Sequence, residues 1–198
     1  CLAATQRSEL IMKILFVTPS FMPALNYGGT TTSIHALAKA LGRNNKVKVL
    51  TSNCNDNEML NVKTDAWLFV DGIYIKYHRI RWCKKLFSSF VFLRSIFAEV
   101  KDADVVHIQS IFFLPAIVTS FYCMLTNKYF FVSPRGAVGS IALENKNPKL
   151  KKLWLFLFSW MLFRCGVIVN SDWERNQLLK LVPLDYKKVA IIPNGVDV

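Results

Sequence analysis

Short apolar runs along the chain alternate with longer segments whose apolar residues recur at helical spacing. Such short runs are typical of parallel strands that are covered on both faces. They predict strands at residues 14–17, 46–51, 105–109, 129–132, 166–170 and 189–192. The periodic segments predict helices that end near residue 41 and that span residues 86–100, 114–125, 150–163 and 173–181. The alternation predicts an α/β fold, a doubly wound parallel sheet.

Two stretches admit more than one structure. Residues 67–70 and 73–80 flank Asp71-Gly72, a strong turn dipeptide, and therefore predict a hairpin. Residues 105–127 carry no Lys, Arg, Asp or Glu and are about long enough to span a bilayer. We favour a strand followed by a helix there, because Pro115 suits the first turn of a helix.

The segment 12–41 combines a strand, a loop that ends in Gly28-Gly29, and a helix that one of the threonines at 30–32 is expected to cap. A helix N-terminus offers free N–H groups and partial positive charge, and glycine lets an anion approach the backbone. The segment is either a binding site for the phosphates of a nucleotide-activated substrate or a tight turn of an α/β domain.

The excess of basic over acidic residues indicates which classes of partner the protein can bind. The 198 residues include 25 Lys and Arg against 13 Asp and Glu, a net charge of +12, which favours acidic lipid, nucleic acid or phosphorylated substrates. No basic tract is interleaved with aromatic residues on a strand, so no nucleic acid partner is expected. The five cysteines are widely spaced and form no C-x-x-C pair. This favours reduced thiols in a cytosol over a disulfide framework or a zinc site.

Residues 1–11 are interpreted as a leader foreign to the domain, because Met12 leads at once into the first strand. They lack the basic head and apolar core of a signal peptide. Residues 12–198 are long enough for one α/β domain with a sizeable core.

In a doubly wound sheet the ligand crevice lies beyond the carboxyl ends of the strands. Arg135 follows a strand in S-P-R-G and is either a phosphate-binding fork or a loop arginine paired with a carboxylate. His107 lies inside a strand and is interpreted as a core histidine. Glu174 occupies the first turn of its helix, where a negative charge suits the helix dipole.

A lysine cluster precedes an aromatic helix. Its members stand just before residues 153–158, which read L-W-L-F-L-F, and they are Lys146, Lys149, Lys151 and Lys152. This arrangement indicates either attachment to an anionic membrane surface or a solvated lysine run before a buried helix.

Five of the segments that end in or follow strands match one pattern in order. They read P-A-L-N-Y-G-G, D-V-V-H-I-Q-S, S-P-R-G-A-V-G-S, V-I-V-N-S-D-W-E and I-I-P-N-G-V-D. Together they resemble the N-terminal half of retaining glycosyltransferases of family 4, whose GT-B fold has two facing Rossmann-like domains. The resemblance covers residues 12–198. The S-P-R-G loop with its following basic residues looks like the branch that builds bacterial surface polysaccharides.

The resemblance implies transfer of a sugar from a nucleotide diphosphate sugar, which is a donor substrate, so no cofactor is predicted. The acceptor would be a glycan or a lipid-linked molecule at the inner face of the cell membrane. Gly28 and Gly29 would approach the donor diphosphate, and Arg135 and Gly136 would lie at the sugar-transfer site.

The remaining crevice residues also follow from the resemblance. Ser171 and Glu174 match the S-x-x-E of the family after its sixth strand. Gln109 stands where many members have a second histidine, which argues against an acid/base role there. Asp102-Ala103-Asp104 imitates the D-x-D metal motif of another glycosyltransferase class, but it precedes its strand. It is therefore expected at the amino edge, and no metal site is predicted.

The family's second domain, which holds the nucleotide, has no counterpart in residues 12–198. The chain is therefore expected to be the acceptor-side half of an enzyme and to be inactive alone. The alternative is a non-catalytic module that binds a membrane surface. A nicotinamide-dependent dehydrogenase is disfavoured, because no G-x-G-x-x-G follows any strand.

Overall fold

The computed structural model of the chain describes residues 11–80, 87–139 and 148–194, apart from the side chains of 148–152 and 157. The strands are β1 (Lys13–Val17), β2 (Lys46–Ser52), β3 (Cys54–Asn55), β4 (Glu58–Met59), β5 (Trp67–Val70), β6 (Ile73–His78), β7 (Val105–Gln109), β8 (Tyr129–Ser133), β9 (Gly166–Val169) and β10 (Val189–Ile191). The helices are α1 (Gly29–Gly42), α2 (Phe90–Asp102), α3 (Leu114–Leu125), α4 (Pro148–Leu162) and α5 (Asp172–Leu181).

Eight of the strands form one sheet in the order β10-β9-β8-β7-β1-β2-β6-β5. Every neighbouring pair is parallel except the edge pair β5–β6. The chain starts at β1 in the middle, adds β2 on one side, and later adds β7 to β10 on the other. This is the predicted doubly wound sheet. It brings the carboxyl ends of the parallel strands to one edge.

Strand β1 is the centre of the fold because its side chains enter both cores. Ile14 and Phe16 face α1 and pack with β2 and β6, whereas Leu15 and Val17 face the layer that contains α2 to α5. Successive strand residues point to opposite faces, so an unbroken apolar run is what a strand between two helix layers requires.

Several sequence predictions are confirmed. Asp71 and Gly72 both adopt left-handed backbone conformations, as a tight hairpin turn needs, and they connect β5 to β6. The apolar stretch after Asp104 divides into β7 and α3, with Pro115 in the first turn of the helix. Within the described ranges, no helix is both long enough and apolar enough to cross a bilayer.

The predicted threonine cap of α1 is wrong. The N-cap is Gly28, with φ of 66° and ψ of −147°, and no side chain caps the helix. Only glycine adopts this backbone conformation without strain, so α1 begins two residues earlier than a cap at Thr30 would allow. Of the first N–H groups of α1, that of Thr31 donates to Gly28 O at 3.2 Å.

Helix α4 is apolar on two faces. Leu155, Phe158 and Leu162 are buried against the sheet, as their spacing of three and four residues requires. Phe156 and Trp160 lie on the outer face, where they are 74% and 56% exposed. Burial in the core therefore accounts for only half of the aromatic content of this helix.

This difference within one helix gives a matched test of core packing. Phe158→Ala should lower the free energy of unfolding by about 3–5 kcal/mol, because it removes a fully buried ring and leaves a cavity. Phe156→Ala should change it by less than about 0.5 kcal/mol, because its ring is already in water. Urea denaturation of both variants measures the two values. A similar loss in both would contradict the assignment of the two faces.

Two strand histidines are buried and held by side chains. His78 Nδ1 lies 2.9 Å from Asp65 Oδ1, and His107 Nε2 lies 2.8 Å from Ser133 Oγ. Burial lowers the pKa of His78 to about 4 and the pKa of His107 to about 3. Both rings are therefore neutral at pH 7, and His107 is the core histidine that its position in the strand predicted.

These lowered pKa values predict how stability depends on pH. Below pH 6.5 the unfolded chain binds protons that the folded chain excludes, so the free energy of unfolding should fall. The fall should approach about 1.4 kcal/mol per pH unit for each histidine, and should end near pH 4 for His78 and near pH 3 for His107. Urea denaturation at a series of pH values measures the combined slope of the two histidines. Between pH 6.5 and about pH 4, His107→Gln should halve this combined slope, because only His78 then contributes. An unchanged slope would assign the effect to carboxylates instead.

Candidate functional site

The ends of four adjacent strands meet at the side chain of Arg135. Arg135 follows β8 after Pro134, and its guanidinium reaches residues at the ends of the other three strands. Nε donates to Gln109 Oε1 of β7 at 2.7 Å, and Nη1 donates to Asn170 Oδ1 at 3.2 Å and to Asn194 Oδ1 at 2.5 Å. Asn170 follows β9 and Asn194 follows β10. We call these four residues the Arg135 network.

All three acceptors of this guanidinium are neutral carboxamides, and no carboxylate of the described residues pairs with it. Burial lowers the pKa of Arg135, and the charge of Glu174 opposes that shift. An arginine stays protonated even then. The network therefore holds a cation in place without neutralising it, which is a suitable arrangement for binding an anion.

Gln109 is fully buried, and only one end of its amide is bonded. Its Oε1 accepts from Arg135, whereas Nε2 has no partner among the described residues. A buried amide donor without an acceptor is costly, so a water or a ligand oxygen is expected to bind it. The structure thus places Gln109 at the carboxyl edge of the sheet, next to Arg135, and its predicted crevice role stays a prediction.

Glu174 binds backbone across two loops. Its carboxylate accepts from Gly136 N at 2.5 Å and from Asn170 N at 2.8 Å, and its side chain is almost fully buried. Ser171 caps α5 by accepting from Glu174 N at 3.2 Å. The predicted residues Gly136, Ser171 and Glu174 therefore lie together beside Arg135. The acceptor role that was predicted for the last two stays a prediction.

Gly28 and Gly29 lie at the same edge of the sheet but belong to a separate group. Both are exposed, and a Cβ added to either would meet no atom within 4 Å. Within the described part of the chain, no hydrogen bond joins them to the Arg135 network. Open space above a helix N-terminus is compatible with a bound phosphate, which stays a prediction.

The acidic pair before β7 lies at the opposite edge. Asp102 accepts from Lys13 Nζ at 2.8 Å and from Lys48 Nζ at 3.0 Å, and these bonds lower its pKa to about 2. Asp104 accepts from the backbone of Lys13. These carboxylates stabilise the start of the sheet. No group of three or more potential metal ligands occurs among the residues that the structure describes.

Sequence reasoning missed one residue of the Arg135 network. Asn194 was not predicted, although its position after the last strand was the signal that could have found it. The lysine cluster at Lys146, Lys149, Lys151 and Lys152 lies outside the side chains that the structure describes.

Comparisons with known proteins agree on the fold. Anabaena HepE, solved with UDP and glucose, superposes with a TM-score of 0.62 at 14% sequence identity, over 94% of this chain and 45% of that one. A UDP-N-acetylglucosamine 2-epimerase from Rickettsia bellii gives a TM-score of 0.54 at 9% identity, over 93% of this chain and 45% of that one. The chain thus spans less than half the length of these structures. No curated protein matches the sequence.

The family comparison covers most of the chain. The family described as Glycosyltransferase Family 4 matches residues 27–198, a range that holds α1, the Arg135 network and every described strand except β1. With the doubly wound sheet and the HepE superposition, this match shows that the chain belongs to Glycosyltransferase Family 4 and has the fold of a GT-B N-terminal domain.

Proposed function

We propose that the chain is the acceptor-side half of a retaining glycosyltransferase that acts in bacterial surface polysaccharide synthesis. The enzyme would transfer a sugar from a nucleotide diphosphate sugar to a glycan or a lipid-linked acceptor. The observation that carries the proposal is the un-neutralised guanidinium of Arg135 at the carboxyl edge of the sheet. The structures of HepE with UDP-glucose support a nucleotide sugar as the donor.

Arg135 suits the chemistry of the leaving group. The bond between the anomeric carbon and the diphosphate oxygen breaks, and its electron pair stays on the diphosphate. The acceptor hydroxyl oxygen forms the new bond to the anomeric carbon, and its proton passes to the leaving phosphate. Negative charge grows on the diphosphate as the sugar departs, so a fixed cation stabilises the transition state more than the ground state.

The neighbours of Arg135 fit a role in electrostatic stabilisation rather than in proton transfer. Gln109 carries no group that acts as an acid or a base near neutral pH, and burial keeps His107 neutral by lowering its pKa to about 3. The N-terminus of α1, which begins at Gly29, would add partial positive charge at the same edge, whereas the N–H of Gly28 already donates to Leu25 O at 2.9 Å. This half of the enzyme would therefore bind and stabilise phosphate, while it positions the acceptor.

Substitution of Arg135 tests the proposal. In the full-length protein, Arg135→Ala should lower turnover by roughly 10²-fold or more and change donor affinity less, because the cation acts mainly in the transition state. Arg135→Lys should restore only part of the rate, since an ammonium cannot form the bidentate fork. Steady-state kinetics and melting temperatures measure both effects. Near-normal turnover of a stable Arg135→Ala variant would refute the role.

A second feature favours attachment to a membrane. The outer sides of α3 and α4 expose large apolar residues, which we call the α3–α4 surface: Phe121, Leu125, Leu153, Phe156 and Trp160. The two helices pack against each other, and Phe121, Leu125 and Trp160 line one groove together with Arg164. Phe121, Leu125 and Trp160 therefore form one patch. Leu153 and Phe156 lie at helical spacing from Trp160 on the same side of α4.

Two cations line the groove of this surface, Lys128 and Arg164, and they suit an anionic lipid layer. Between residues 105 and 171 the sequence has seven Lys and Arg and one acidic residue, Glu144. Aromatic side chains that enter the interface and cations that meet lipid phosphates are the two parts of peripheral membrane binding. We therefore propose that the α3–α4 surface binds the inner face of the cell membrane, where a lipid-linked acceptor would lie.

Vesicle binding tests this surface. The chain should sediment with vesicles that contain anionic lipid, and less so at high salt, because ionic screening weakens the attraction. Phe156→Ala with Trp160→Ala should weaken binding by at least about tenfold, since two aromatic contacts are lost.

Phe69→Ala is the matched control, because Phe69 is 64% exposed on the edge strand β5, outside the α3–α4 surface. Binding that is insensitive to salt would refute an electrostatic contribution. Equal losses in the control and in the double variant would refute the surface. A donor-hydrolysis assay of the full-length protein, beside the vesicle assay, distinguishes an enzyme part from a module that only binds membranes.

A further inference from the structure

Glu174 departs from the local structure that its sequence context predicts. In S-x-x-E at a helix start, the glutamate normally bonds back to the N-cap residue and completes a capping box. Ser171 makes its half of the box by accepting from Glu174 N. The carboxylate instead accepts from Asn170 N, before the cap, and from Gly136 N on the loop after β8.

These two bonds connect Glu174 to the Arg135 network at two points, the backbone of Gly136 and the backbone of Asn170. Gly136 is the neighbour of Arg135 in the chain, so the first bond fixes the backbone that carries the guanidinium. The second bond fixes the backbone of Asn170, whose side chain accepts from Arg135 Nη1 at 3.2 Å. One carboxylate therefore holds both the base of the arginine and one of the groups that orient its tip.

The backbone at this loop requires such support. Arg135 has φ of 55° and Gly136 has φ of 79°, so both residues are left-handed. This conformation is unfavourable for arginine, which has a Cβ, and it persists only where the surroundings impose it. Glu174 supplies a buried acceptor to the Gly136 N–H, and Ala137 N donates to Pro134 O at 3.2 Å.

We propose that Glu174 is a positioning residue that holds Arg135 in place for a diphosphate, acting through Gly136 and Asn170. The inference rests on the proposed function of Arg135. Both carboxylate oxygens accept from N–H groups, so a carboxamide cannot replace it, because its NH2 group would face one of the two donors. A shorter aspartate loses the reach across the two loops.

Anion binding by this chain tests the inference, with inorganic pyrophosphate as the probe in calorimetric titrations. Glu174→Gln should weaken pyrophosphate binding by about tenfold or more, because a hydrogen bond to a charged group is lost from the support of Arg135. Arg135→Ala should weaken binding at least as much. In the Arg135→Ala background, Glu174→Gln should have no further effect, because the two residues act as one unit.

Asp172→Asn is the control for charge. It removes one negative charge from the same helix, and the side chain of Asp172 is 73% exposed and contacts only Arg175 among the described residues. Its pyrophosphate affinity should remain within about twofold of wild type. Wild-type affinity in Glu174→Gln would overturn the inference. An equal loss from Glu174→Gln with and without Arg135 would overturn it as well.

A second readout does not depend on a ligand. Nuclear magnetic resonance of the chain should show the Gly136 amide proton shifted upfield in Glu174→Gln, and faster exchange of the Arg135 Nε proton, which in the wild type is bonded to Gln109 at 2.7 Å. If wild type binds no pyrophosphate but both signals change, the proposed function fails and the positioning role stands. If neither signal changes, the positioning role fails whatever the affinity.

Discussion

The constraint on which the carboxyl edge depends is the partial burial of one positive charge, the guanidinium of Arg135. A buried cation normally requires a carboxylate partner, since loss of hydration is costly. Here three carboxamide dipoles replace the water, and Glu174 binds backbone beside the cation instead of pairing with it. The guanidinium of Arg135 is therefore held in a fixed orientation, and its positive charge can still bind an anion. A paired arginine would be as stable but would bind an anion less well.

The topology of the sheet makes this arrangement possible. Strands β7, β8, β9 and β10 are consecutive in space as well as in the chain, so the residue after each strand falls at one edge. The packed layer of α2 to α5 behind them resists adjustment of those ends. It can therefore maintain the left-handed backbone of both Ser110 and Arg135 at neighbouring strand ends.

The molecule separates three kinds of surface. At the amino edge Asp102 is neutralised by two lysines, which joins β1 and β2 to α2. At the carboxyl edge Arg135 keeps its charge. On the outer side of the helix layer, the α3–α4 surface exposes aromatic side chains. The proposed phosphate chemistry at one edge and the proposed membrane attachment on another face would therefore use different residues.

The sequence by itself determined the strands of the main sheet and the helices between them, because the spacing of apolar residues depends on whether a segment is buried on one side or on both. It did not predict the short strands β3 and β4, which lie in a polar segment. It predicted β7 and α3 to the residue, the hairpin at Asp71-Gly72, and Arg135 at a strand end. It also placed His107 in the core. These features are local or follow from the order of strands, and the family pattern reinforced them.

Only the tertiary structure decided the partners of those residues. S-D-W-E is equally compatible with a local capping box, yet Glu174 bonds to Gly136, which lies 38 positions away in the chain. Asn194 reaches Arg135 across 59 positions, and α4 exposes half of its aromatic residues, where the sequence was compatible with either a membrane-binding or a buried helix. Such contacts depend on which loops meet at one edge of the sheet and on which helix faces are covered by other elements. The local spacing of apolar residues specifies neither of these.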